Sequence, residues 1–150
     1  MTNDDIISTL NDLIKICKDG EEGFKTCAEH VTNGYIKMLF ADRAQRCSQS
    51  ATELQTLVIG LDGKPAESTS VASALHRAWI DVKDAVVDRD DEAVLAECER
   101  GEDVAVEAYR KALDTDLPID VRTVVTTQYG GVMHNLDLVK NLREKFGVYQ

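Results

Sequence analysis

"CKDGEEGF" runs from Cys17 to Phe24, and "CERGEDVA" runs from Cys98 to Ala105. Both begin Cys-x-x-Gly-Glu-[Glu/Asp], 81 positions apart. The residues around each copy recur at helical spacing, so the glutamate of each falls on an otherwise apolar stripe. In the first copy Leu10, Cys17, Phe24 and Val31 form one heptad series, with Ile7, Ile14, Glu21 and Ala28 beside it. That is the pattern of a core-facing helix. In the second copy Glu102 stands one heptad from Leu95 and one from Tyr109. Two similar helices, each aiming a carboxylate at a common axis, predict two helical hairpins related by pseudo-twofold symmetry. A bare buried carboxylate is costly, so each must find a partner or take up a proton. Gly20 and Gly101, just before the glutamates, are poor helix formers and fit where helices approach closely or bend.

The rest of the chain continues this reading. Thr2-Asn3-Asp4 supplies caps for a first helix that ends near Thr32-Asn33-Gly34. A second helix is predicted from Tyr35 to Gly60, with Phe40, Cys47, Leu54 and Leu61 in one series and Ala44, Ala51 and Val58 beside it. The segment Gly60-Leu-Asp-Gly63-Lys-Pro65 reads as a loop. A third helical region starts near Ser68-Thr69-Ser70 and is interrupted at Asp88–Asp91 by a kink or a fresh N-cap. It resumes through Leu95 to Ala112. A turn at Asp114–Pro118 leads into a last helix carrying Val121, Val125, Gln128, Val132, Asn135, Leu138 and Leu142. Short first and third connections predict an all-α, up-down-up-down four-helix bundle with a broken third helix, in one domain over residues 1–150.

Charge excludes some classes of partner. The net charge of −10 repels phosphate backbones and anionic membrane surfaces, so neither nucleic acid nor membrane is an expected partner. No apolar run approaches the ~18 residues of a membrane span, and the N-terminus lacks the apolar region of a signal peptide. The four cysteines contain no Cys-x-x-Cys pair. They lie on or beside core series and read as small hydrophobes in a reducing cytoplasm. An exposed, acidified switch thiol is not expected on so acidic a surface.

Counting outward from the two turns sets the depth of the glutamates. Glu21 matches the level of Arg43 to Cys47 on the second helix, and Glu102 matches Gln128 to His134 on the last. One buried polar layer is therefore expected from Glu21, Arg43 or Arg46, Glu102 and Gln128, with His134 at its margin. The arrangement resembles the ferritin-like di-iron bundles, in which two helices each give a Glu and the other two each give Glu-x-x-His. Glu21 and Glu102 keep the first half of that pattern. The second half departs from it: Arg43-Ala-Gln-Arg46 has no histidine, and Gly131-Val-Met-His134 lacks the Glu. Arginine repels a metal cation and pairs with carboxylates through its planar fork. The resemblance therefore implies a ferritin-like scaffold whose metal centre is replaced by ion pairs, with no cofactor. The alternative is an iron or manganese site using Glu21, Glu102 and His134.

Over residues 4–146 the chain also resembles a bacterial family of four-helix-bundle proteins filed as a domain of unknown function. The resemblance is carried by "LNDLIKICKDGEEGF", "ADRAQRC", "ALHRAWID" and "AECERGEDVAVEAYRKAL". It implies the bundle and no activity. His30, His76 and His134 fall on three different helices without metal-ligand spacing. His76-Arg77-Ala-Trp79 reads as a bundle-end cover with a solvated pair, or as a docking anchor. No catalytic triad, phosphate loop or dinucleotide fingerprint is visible. The expected role is a non-catalytic bundle, an interaction or stress-associated module of the bacterial cytoplasm. The alternative is a metal-handling protein or oxidoreductase. Apolar Val71, Leu75 and Trp79 lead to the expectation of a homodimer.

Overall fold

The structure, a computed structural model, describes residues 1–67 and 90–149, with side chains described as far as residue 145. Four helices are described: α1 at Asn3–His30, α2 at Gly34–Gly60, α3 at Asp91–Leu113 and α4 at Ile119–Tyr149. No strand occurs among the described residues. No described helix is long and apolar enough to cross a membrane. The chain is an all-α helical bundle.

Side chains at the helix ends account for where each helix starts. Thr2 and Asp5 form a reciprocal capping box at the start of α1. Asn33 accepts from the Tyr35 and Ile36 amides at the start of α2. At the break expected within the third helix, Asp90 is a fresh N-cap: its side chain accepts from the Ala93 amide at 2.9 Å. The region expected to precede this break, with Val71, Leu75, His76, Arg77 and Trp79, lies outside the described residues. In the α3–α4 turn the Arg122 guanidinium donates to the Leu113 and Thr115 carbonyls, satisfying orphan acceptors at the end of α3.

The heptad series become the core. Leu10, Cys17, Phe24 and Val31 are all buried, as are Phe40, Cys47 and Leu54. On α3, Leu95, Cys98, Glu102, Ala105, Tyr109 and Ala112 are buried; on α4, so are Val121, Val125, Gln128, Val132, Asn135 and Leu142. Buried apolar residues form two clusters. One holds Leu10, Leu54, Val106, Tyr109 and Val125; the other holds Phe24, Phe40, Leu95, Cys98 and Val139.

Named contacts fix the helix directions. Cys17 meets Tyr109, Cys27 meets Cys98, and Thr32 meets Asp91, so α1 and α3 are antiparallel. Ser50 on α2 meets Gln128 on α4, while Ile36 and Phe40 share a cluster with Val139 and Leu142. The α2–α4 seam is therefore antiparallel too. Among the described helices, neighbours around the ring therefore run antiparallel to each other. While α3 begins at the Thr32 end of the bundle, the segment after α2 leaves from the Gly60 end. Its first residues fold back onto α1: Asn11 exchanges hydrogen bonds with the Lys64 carbonyl and the Ala66 amide. The loop passes so close to α1 that a Cβ on Gly63 would lie 2.8 Å from Ile7 Cδ1.

Candidate functional site

Between the two apolar clusters lies a buried polar group. Arg43 of α2 reaches Glu102 of α3 with both arms of its fork: Nε donates to Oε2 and Nη2 to Oε1, each at 3.1 Å. The Asn135 amide of α4 donates to the same Oε2. Relative exposure is 1% for Glu102 and 8% for both Arg43 and Asn135. The carboxylate is thus held by three charge-assisted hydrogen bonds from two helices. The Arg43 Cζ lies over the Phe24 ring, 5.7 Å from its centroid, a cation–π contact with α1. Burial alone would push the Arg43 pKa down; the Glu102 carboxylate outweighs that and holds it above the ordinary arginine value.

A second polar chain runs beside this cluster. The Tyr109 hydroxyl donates to Gln128 Oε1 at 2.8 Å, and Cys17 Sγ lies 3.2 Å from the same hydroxyl. Tyrosine has one proton to give, so the Cys17 thiol is the donor in the second contact. Gln128 Nε2 in turn donates to the Ser50 carbonyl and to Glu53 Oε1 at the surface. Cys17, Gly20, Arg43, Cys47, Glu102 and Tyr109 surround a cavity of about 20 Å³, room for one water molecule. Gly20 packs closely here: an added Cβ would lie 3.1 Å from Cys47 Sγ, and the sulfur would have to give by a few tenths of an ångström. Burial pushes the Cys17 thiol up to about 11. Cys47 and Tyr109 are also pushed up, in each case chiefly by burial.

The structure brings together only part of the expected layer. Arg43 and Glu102 pair directly, and Gln128 is buried nearby but serves Tyr109. Glu21 is half-buried in the α1–α2 groove with Lys25, Gln45 and Ser48, away from the axis. Its long side chain reaches water along that groove at less cost than burial. Arg46 is exposed and pairs with Asp42 one turn earlier, at 3.0 Å. His134 is exposed because the inward position one heptad after Gln128 is Asn135. Asn135 is the residue that counting by level missed, although it belongs to the inward series of the last helix. Asp91 was also missed as a partner. Its carboxylate, 8% exposed, accepts from the Thr32 amide and hydroxyl and the Asn33 amide, tying α3 to the α1–α2 turn.

Both Glu102 oxygens face cationic or amide donors. Among the described residues no group of three or more His, Cys, Asp or Glu side chains is placed to hold a metal ion. The fold and this site define the class: an all-α bundle whose mid-plane is closed by an arginine–carboxylate–amide cluster. The chain belongs to the family described as Domain of unknown function (DUF2383), whose pattern matches residues 5–115. That span includes Glu21, Arg43 and Glu102 and stops before the α4 residues Gln128 and Asn135. No curated protein matches the chain.

Proposed function

We propose that the chain is a non-catalytic helical-bundle module of the bacterial cytoplasm, with an interaction or stress-associated structural role. On this reading its scaffold is ferritin-like, and an ion-pair cluster has taken the place of the metal centre. The observation that carries the reading is the bidentate Arg43–Glu102 pair with Asn135 on the same carboxylate. Donors occupy three of this carboxylate's roughly four lone-pair sites, and a fixed guanidinium repels a divalent cation. Glu21 and His134, the other donors of a metal reading, sit in a groove and on the surface. These residues do not fit a di-metal carboxylate centre.

Metal analysis of protein purified without chelator tests the proposal. Iron and manganese are expected far below one equivalent, and added iron should leave the melting temperature unchanged. Near-stoichiometric metal would overturn the reading. The homodimer is part of the same proposal. Sedimentation should give twice the 16.6 kDa chain mass, and a mass of one chain at micromolar concentration counts against it.

A further inference from the structure

The seam between α1 and α3 contains a second feature, unrelated to the ion pair. Cys27 and Cys98 are each 0% exposed, and their sulfur atoms lie 2.7 Å apart. Ordinary non-bonded heavy-atom contacts are about 3.5–4.0 Å. A disulfide bond is about 2.05 Å. The two thiols are thus within a fraction of an ångström of bonding distance, on helices fixed to each other by the Cys17–Tyr109 and Thr32–Asp91 contacts on either side. Both thiols are free.

We propose that Cys27 and Cys98 are an oxidation site, converted by a hydroperoxide into an intramolecular disulfide that ties the α1–α2 hairpin to the α3–α4 hairpin. The Cys98 thiol donates toward the Cys27 sulfur, so Cys27 is taken as the first to react; the disulfide is the same in either order. The Cys27 sulfur attacks the peroxide: an S–O bond forms, the O–O bond breaks, and two electrons pass from sulfur to the peroxide. The peroxide leaves as water or an alcohol, taking the Cys27 proton. The Cys98 sulfur then attacks the Cys27 sulfur: the S–S bond forms, the S–O bond breaks, and hydroxide leaves with the Cys98 proton as water. Two thiols and one hydroperoxide give one disulfide, one water and one further water or alcohol. Proximity accelerates the second step over further oxidation. Full burial makes the first step slow compared with an exposed thiol, because a peroxide must wait for the seam to open.

The experiment treats the folded, reduced protein with hydrogen peroxide, then alkylates it under denaturing conditions and maps its peptides by mass. The expected result is a loss of two hydrogens, two of the four thiols blocked to alkylation, and one cross-linked peptide joining Cys27 to Cys98. A dithiol reductant should restore all four. A Cys17→Ser/Cys47→Ser variant, which retains only the proposed pair, should give the same cross-link. If that variant does not fold, the wild-type map decides alone. The proposal is overturned if all four thiols still alkylate when peroxide treatment is continued long past complete oxidation of an exposed control thiol, under mild denaturant that opens the seam. It is equally overturned if the disulfide joins other cysteines, or if Cys27 and Cys98 gain oxygens instead of bonding.

Discussion

The two copies of the repeated motif share their letters but not their fate. Glu102 is buried in the middle of the bundle, with Arg43 and Asn135 on its carboxylate. Glu21, its counterpart 81 residues earlier, lies half-buried in an outer groove. The difference teaches that a helix's own stripe decides only which way a side chain starts out. Whether a carboxylate stays inside depends on what facing helices bring to it. The cysteines that open the two copies behave alike: both are buried, and burial pushes both thiols up. A small side chain tolerates either environment, whereas a charge does not.

The largest expected effect that separates the copies is at Arg43. Arg43→Ala strands the Glu102 carboxylate and should cost about 3–5 kcal/mol in a urea melt. A loss under about 1 kcal/mol would remove the distinction between the two glutamates.

Next in size is alkaline pH, which sharpens the contrast by testing the thiols rather than the glutamates. The folded Cys17 keeps its proton to about 11, against 9.0 for the ordinary thiol. The unfolded chain therefore releases that proton first. Stability should fall as pH rises from 9.0 toward 11, by about 3 kcal/mol from this group at the upper end. Cys47, Cys98 and Tyr109 act with the same sign. Melts across this range should show a shallower decline for Cys17→Ala than for the wild type.

Tyr109→Phe is a smaller change. It removes the hydroxyl shared by Cys17 and Gln128 and leaves their buried groups with fewer partners, a loss of about 1–3 kcal/mol by denaturant unfolding. Smallest is Glu21→Gln, which should shift stability by no more than about 0.5 kcal/mol in the same assay, as surface changes do. A loss comparable to that of Arg43→Ala would mean that the copies are equivalent after all.

Much of this architecture is legible in the sequence, for a physical reason. The series Leu10–Val31, Phe40–Leu54 and Val121–Leu142 follow helical periods that survive folding with little change. The Asp88–Asp91 interruption, rich in capping side chains, marks the real start of α3 at Asp90 and Asp91. The site is half legible. Arg43 stands three residues after Phe40 and four before Cys47, inside the stripe, while Arg46 turns outward and finds Asp42. Choosing His134 over Asn135 weighed chemical type above position; the heptad from Gln128 reaches Asn135. The Cys27–Cys98 contact crosses between helices 71 residues apart and depends on their mutual register, which neither helix records.

The central claim is that Glu102 is inside because Arg43 and Asn135 hold it. The most direct test compares Arg43→Ala with the triple variant Arg43→Met/Glu102→Leu/Asn135→Leu by denaturant unfolding. Removing one partner leaves a buried charge, whereas replacing the cluster removes the desolvation cost with it. The account predicts that the triple variant folds and lies within about 1 kcal/mol of wild type or above it, while Arg43→Ala loses about 3–5 kcal/mol. If the triple variant is destabilised as much as the single one, the cluster contributes net stability of its own and the claim is contradicted.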